Sequence, residues 1–248
     1  MSVRLRSCPG LRYYSWVSQQ GEDVPVSEGP WLSEQTSKRI AGELRAPRSA
    51  AIAGILFAVI LGVVIVLFRS AGPAASGGDS SWLTDSSRRH IVTFALNLVP
   101  FAGIAFLWFV GVLRARLGSR EDRLFATVFL GSGLLFVGML FAGAAVMGAL
   151  LVLEQRPTPP SPDAVTLSQL ITSAILGTFG ARMAAVFTFS VTTAALRTRV
   201  IPRWIAVSGY VTAVGLLLSP PLSGWCQLLF PAWVLLISLF ILVTSGDR

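Results

Sequence analysis

Six long runs of apolar residues alternate with short polar segments between residues 50 and 243. Each run exceeds about 18 residues, the length needed to cross a hydrocarbon core about 30 Å thick. The runs lack the in-out alternation of barrel strands, and a helix satisfies its own backbone hydrogen bonds in lipid. The predicted spans are residues 50–68, 91–113, 124–153, 164–196, 204–222 and 225–243.

Composition agrees with this pattern, since 53% of the residues are hydrophobic and only 13% are charged. The sequence therefore predicts an all-α fold, a polytopic transmembrane bundle over residues 50–248. Residues 1–49 are rich in Ser, Glu, Arg, Pro and Gly, and they are predicted to form a largely disordered cytoplasmic tail. A short helix around Glu34 to Leu44 stays open, because Ser33 is a suitable cap.

Basic residues predict the orientation, because cytoplasmic connections carry the excess of Lys and Arg. With the N-terminus inside, 15 of the 20 basic residues lie in inner segments and four lie in outer ones. The remaining basic residue, Arg182, lies inside a span. Both termini are therefore predicted to be cytoplasmic.

The first outer connection, residues 71–90, is rich in Gly and Ser and is predicted to be a flexible loop. Trp82 and Trp225 near the outer boundary, and Trp204 near the inner one, fit residues that anchor at the membrane interface. The net charge of +8 comes from arginines spread over the connections. We therefore expect membrane lipids as partners and no nucleic acid.

Arg182 is the outstanding residue, because it lies inside the fourth predicted span and no span contains an acidic residue. A charge at membrane depth costs roughly 2.5 to 3.5 kcal/mol on insertion scales. Two interpretations stay open. The guanidinium bonds backbone oxygens or lipid phosphate, or it binds an anionic ligand or substrate.

Small residues recur every fourth position along the same span. Such a ridge lets a neighbouring helix approach closely. Packing within one bundle is favoured over dimerisation, and Arg182 is expected beside this ridge. The ridge consists of Ser173, Gly177, Ala181 and Ala185.

Proline is predicted to kink two helices, at Pro100 in the second span and at Pro231 in the sixth. Asn97 lies one turn before Pro100 and is a candidate partner for freed backbone groups. Such kinks line transport cavities in some proteins and serve packing in others, and both uses stay open.

The sequence shows no set of residues suited to catalysis or to metal binding. Ser132 lies near the inner end of the third span, whereas His90, the one histidine, lies at the outer end of the second. Two distant cysteines and one histidine do not assemble a zinc site. We expect no enzyme activity, no cofactor and no metal.

Two stretches resemble a known group of proteins: residues 196–210, LRTRVIPRWIAVSGY, and residues 230–238, FPAWVLLIS. They are similar to stretches of uncharacterised six-span membrane proteins of GC-rich bacteria, as is PFAGIAFLWF at residues 100–109. The resemblance covers residues 50 to 245. It implies a shared bundle in the bacterial cytoplasmic membrane and supplies no mechanism.

These observations predict a non-enzymatic integral membrane component or accessory subunit. The alternative is a small transporter or lipid-handling protein that binds an anionic ligand at Arg182, near the Asn97 and Pro100 kink. A homo-oligomer and a complex with another membrane protein both stay open.

Overall fold

A computed structural model of the protein describes residues 30–72, 81–117, 123–197, 201–218 and 224–244. Most of the predicted tail, all of residues 1–29, lies outside the described residues. The chain divides into two units, Met1–Gly42 and Glu43–Arg248. The described part of the first unit is helical, and every contact given below lies within the second.

The described residues are helical apart from short turns, and they contain no strand. The first helix begins at Pro30, well before the apolar run that starts at residue 50. The α-helices are α1 (Pro30–Ala71), α2 (Ser81–Thr84), α3 (Ser86–Leu117), α4 (Arg123–Glu154), α5 (Pro162–Ser173), α6 (Ala181–Arg197), α7 (Arg203–Leu218) and α8 (Leu229–Thr244). A π-helical segment, Ala174–Gly180, joins α5 to α6, and a 3₁₀ turn, Gly224–Leu228, precedes α8.

Five helical segments among the described residues are long and apolar enough to cross a membrane. This confirms an all-helical, multi-pass membrane protein. The fifth predicted span corresponds to α7, a shorter apolar helix of 16 residues, and the rest of that run lies outside the described residues. The long segments are Ala51–Ala71, Ser86–Arg114, Thr127–Glu154, Pro162–Arg197 and Trp225–Thr244.

Seven phenylalanines from five helices pack against one another in the middle of the bundle, and we call them the phenylalanine core. The ring of Phe106 lies at their centre, 4.6 Å from the ring of Phe57 and 5.0 Å from that of Phe187, centroid to centroid. Several pairs meet edge to face, the arrangement that aromatic quadrupoles favour. The members are Phe57, Phe106, Phe109, Phe129, Phe136, Phe187 and Phe230.

Two glycines allow helices of the bundle to approach closely. A Cβ atom at Gly209 of α7 would collide with Thr192 Oγ1 of α6 and lie 2.9 Å from Trp233 Nε1 of α8. A Cβ at Gly54 of α1 would collide with Ser238 Oγ of α8. Both hydroxyls are buried without a conventional hydrogen-bond partner. They lie against glycine backbone, where a Cα–H provides a weak donor at helix interfaces.

The end of the bundle near Trp82 departs from the predicted flexible loop. Residues 81–90 form α2 and the start of α3, and the side chain of Trp82 is completely buried. Asp85 Oδ1 accepts a hydrogen bond from the backbone N–H of Ser87 at 2.9 Å, so it caps α3. The prediction that Trp82 anchors at the membrane interface is therefore wrong, because neighbouring helices cover its ring.

A small apolar cluster surrounds that ring, and we call it the Trp82 cluster. Arg88 ties it to the end of α1, because its guanidinium donates to the carbonyls of Ala71 and Gly72 and to the hydroxyl of Ser81. Arg89 adds a bond to the carbonyl of Leu83. The cluster comprises Ala71, Trp82, Leu83, Val92, Met147, Leu150, Leu151 and Val165.

Candidate functional site

The π-helical segment Ala174–Gly180 interrupts one long helix directly before Arg182. Such segments are rare, and they are frequent at functional sites. Glycine in α4 accommodates this wider turn, since a Cβ at Gly143 would lie 2.7 Å from the Leu176 side chain. At the end of the segment, the backbone N–H of Ala181 bonds to the carbonyls of Leu176 and Thr178.

Arg182 takes a local partner that this irregular turn provides. Its Nη1 donates to the carbonyl oxygen of Thr178 at 2.9 Å. A guanidinium has five N–H donors, so most of its hydrogen-bonding capacity is left for other partners. The side chain is half-buried. Arg182 is therefore held by its own helix while its side chain stays partly exposed.

The outward direction of Arg182 follows from its neighbours on α6. Arg182, Val186, Phe189, Thr193 and Leu196 follow helical spacing, and all five are half-buried or exposed. Ala184, on the opposite side of the helix, is buried, as are Ala181 and Ala185, which lie next to Arg182 around the helix. Arg182 thus lies on a mainly apolar outer stripe of the helix.

The depth of Arg182 follows from helix geometry. It precedes Arg197, the last residue of α6, by 15 residues, which is about 22 Å of helix. In a hydrocarbon core about 30 Å thick, this leaves Arg182 about 8 Å from the far boundary if Arg197 marks the near one. A long arginine side chain reaches toward headgroups from such a position.

The predicted ridge of small residues lies partly inside the bundle. Gly177, Ala181 and Ala185 are buried, whereas Ser173 is half-buried and donates its hydroxyl to the carbonyl of Leu170. The π-helical segment falls between Ser173 and Ala181, so the four positions do not share one regular α-helical phase. Arg182 follows Ala181 directly and lies beside the buried part of the ridge.

Asn97 and Pro100 lie on the outside of α3. Both side chains are exposed, and α3 runs continuously from Ser86 to Leu117 with Pro100 inside it. The structure does not bring them together with Arg182 in one cavity, which was the arrangement expected for a transport site.

Pro231 occupies the third position of α8, where the helix continues from the 3₁₀ turn Gly224–Leu228. Its side chain is buried. Because the first turn of a helix has unpaired N–H groups in any case, proline is tolerated there. The change from 3₁₀ to α geometry takes place between Leu228 and Leu229, two residues before Pro231.

A cavity of about 60 Å³ lies between α1, α4, α6, α7, α8 and the π-helical segment. Its walls are apolar, with Leu61, Phe136 and Leu216 among them, and Gln227 contributes a polar side chain. The volume admits a few water molecules and is far below the 300–1,000 Å³ or so of a typical ligand pocket. Arg182, Asn97 and Pro100 do not line this cavity.

The residues considered as catalytic candidates, Ser132 and His90, do not lie together in one site. Ser132 is buried, and its hydroxyl donates to the carbonyl of Phe129 at 3.1 Å. His90 is exposed in the second turn of α3. Within the described ranges, His, Cys, Asp and Glu side chains form no group of three that could hold a metal ion.

Sequence reasoning missed the π-helical segment and the cavity beside it. The segment reads AILGTFG, which is as compatible with an α-helix as with a π-helix. In the sequence, attention is drawn to this region by Arg182 and by the small residues that precede it, such as Gly177 and Ala181.

Comparison with known proteins does not add to these observations. No protein-family model, no curated protein and no solved structure matches the chain.

Proposed function

We propose that this chain is a non-enzymatic, multi-pass component of the bacterial cytoplasmic membrane whose Arg182 contacts the phosphate groups of anionic lipids. The observation that carries the proposal is the position of Arg182 on the outer stripe of α6, with one hydrogen bond to the carbonyl of Thr178 and a partly exposed side chain. Arginine matches a phosphate with two parallel hydrogen bonds.

The membrane topology is part of the same proposal. The fifth crossing would be α7, which covers most of the run predicted at residues 204–222; this gives six crossings and would place both termini in the cytoplasm. Five crossings would place the two termini on opposite sides. Reporter fusions at the N-terminus and at the C-terminus distinguish these arrangements: activity on the same side supports six crossings, and activity on opposite sides contradicts them.

The experiment on Arg182 compares the thermal stability of the purified protein with an anionic and with a zwitterionic phospholipid. We expect phosphatidylglycerol to raise the melting temperature of the wild type more than phosphatidylcholine does, with Arg182 contributing about 2–4 °C of the difference, since one arginine near an anionic surface contributes about 1 kcal/mol. Arg182→Leu should remove this contribution and leave that of the other arginines, whereas Arg182→Lys should keep most of it, because both lipids carry a phosphate and only their net charge differs.

Val186→Leu is the matched control, because Val186 lies one turn along the same outer stripe and carries no charge. It should leave the lipid preference unchanged. An equal preference for anionic lipid in the wild type and in Arg182→Leu would contradict the proposal.

A small transporter or lipid-handling protein with an anionic ligand at Arg182 is the second candidate. It has less support, since Arg182 and Asn97 do not line the described cavity and that cavity is small. A soluble anion that raises the melting temperature of the wild type without lipid, and that fails to do so for Arg182→Leu, would favour this candidate instead.

A further inference from the structure

The outward face of α3 carries an exposed carboxamide, Asn97, close to Pro100. Thr93, Asn97, Pro100 and Ile104 follow helical spacing, and all four side chains are exposed. Phe94 and Phe101 flank them and are also exposed. We call these six residues the Asn97 face.

The Asn97 face lies at membrane depth wherever the bilayer crosses α3. The apolar part of this helix extends from Ser86 to Arg114, which is 29 residues. A hydrocarbon core takes about 20 residues of helix. Every stretch of that length between Ser86 and Arg114 includes both Asn97 and Pro100, so neither residue is positioned outside the membrane.

Hydrogen-bonding capacity on this face is not used within the chain. The hydroxyl of Thr93 donates to the carbonyl of Arg89, but the exposed carboxamide of Asn97 has no such partner among the described residues. Pro100 has no N–H, so the carbonyl of Leu96 loses the donor that an α-helix normally supplies. Lipid tails provide no hydrogen bonds, and unpaired polar groups are costly there.

We infer that the Asn97 face is the contact between two copies of this chain, paired about a two-fold axis near Asn97. A carboxamide has both a donor and an acceptor, so two asparagines facing each other satisfy one another. A two-fold interface requires such self-complementarity, because the same surface meets itself.

The same chemistry favours a second copy over a charged partner. No charged side chain lies on the Asn97 face, so it offers nothing to match a charge on another protein. The carbonyl of Leu96 adds an acceptor close to the carboxamide, and the exposed rings of Phe94 and Phe101 supply apolar contact around the polar centre. Asparagine between transmembrane helices bonds across the interface in this way.

Disulfide cross-linking of single cysteines in native membranes tests this inference. The background is the full-length chain with Cys8 and Cys226 replaced by Ala. Thr93→Cys and Ile104→Cys lie on the same face, keep the Asn97 carboxamide and should form disulfide-linked dimers. Val99→Cys, which is buried in the bundle, and Val211→Cys, which is exposed on α7, should stay monomeric.

The energetic test measures dimer dissociation in detergent micelles over a range of protein-to-detergent ratios. Asn97→Leu should weaken the dimer about 3- to 30-fold, the range expected for hydrogen bonds between transmembrane helices. Asn97→Gln retains the amide and should weaken it less. Val211→Leu serves as the control at an unrelated outward position and should leave dissociation unchanged.

A monomeric wild type at all ratios would overturn the inference, as would cross-linking of Val211→Cys to the same extent as Thr93→Cys and Ile104→Cys. Cross-linking of Thr93→Cys and Ile104→Cys only to a different protein would also overturn it, in favour of a heteromeric contact. These outcomes are independent of Arg182 and its lipid preference, because that residue lies on α6.

Discussion

Buried and outward polar groups of this bundle are arranged differently. Inside, the hydroxyls of Thr192 and Ser238 lie against the backbone of glycines on neighbouring helices, and the phenylalanine core fills the space between the helices. On the outside, Arg182 and Asn97 retain hydrogen-bonding capacity. Membrane transporters commonly show the reverse, with their polar and charged groups turned to the interior.

This difference indicates where the protein acts. The described interior provides the phenylalanine core and a small cavity beside it, whereas Arg182 and Asn97 lie on the outer sides of their helices, where we propose that they meet lipid or a second copy. We therefore propose that the phenylalanine core stabilises the protein and that the outer faces of α3 and α6 make its contacts with lipid and with other protein. The following changes test that division, beginning with the one of largest effect.

Loss of Phe106 should damage the interior most, because its ring contacts those of five other phenylalanines. We expect Phe106→Ala to lower the free energy of unfolding by about 3–5 kcal/mol, through lost burial and a cavity. Denaturant-induced unfolding in mixed micelles measures this. Phe101→Ala removes an exposed ring from the same helix and should cost far less. Equal losses would contradict a stabilising role specific to the core.

Adding a side chain at the close helix contact of Gly209 should lower the stability by a smaller amount. Gly209→Ala places a methyl group against Thr192 and Trp233, and overpacking of this kind costs about 1–3 kcal/mol. Gly62→Ala is the matched control, since a Cβ there meets no atom within 4 Å. Because alanine favours a helix over glycine by about 1 kcal/mol, the control should be neutral or stabilising. Thermal unfolding of both variants measures the contrast, and equal stability would contradict it.

Arg88 provides a charged residue whose donors are used within the chain, in contrast to Arg182. Arg88→Ala removes three hydrogen bonds around the end of α1, and we expect a loss of about 1–2 kcal/mol. The loss should be the same in anionic and in zwitterionic lipid, unlike the effect expected for Arg182. Melting temperatures in the two lipids measure this. A strong dependence on lipid charge would mean that Arg88 also acts through headgroups.

The helices followed from the sequence because hydrophobic length alone specifies a membrane helix. The predicted run at residues 124–153, for example, matches α4, Arg123–Glu154, closely. The ends of the helices were harder to predict from the sequence. For example, α3 begins at Ser86 rather than at residue 91. Its start depends on the Asp85 cap, which an argument from hydrophobic runs does not consider.

The contacts of individual side chains could not be predicted from the sequence. Trp82 follows a Gly/Ser-rich stretch, so composition suggested a loop, whereas its burial depends on contacts with α3, α4 and α5 that are distant in sequence. The importance of Arg182 was evident because a charge in an apolar run is costly. Its bond to Thr178 depends on a π-helical turn that has no recognisable sequence signature.

Water access to the bundle interior is the most direct test of the central claim, that the protein interacts through its outer faces. A single cysteine at Ala184, which is buried and lines the cavity, is treated in intact membranes with a membrane-impermeant thiol reagent. Cys8 and Cys226 are replaced, and Pro159→Cys in the exposed connection before α5 is the positive control. The account predicts that Pro159→Cys reacts and Ala184→Cys does not. Rapid labelling of Ala184→Cys, slowed by a soluble anion, would contradict it and indicate a transport path.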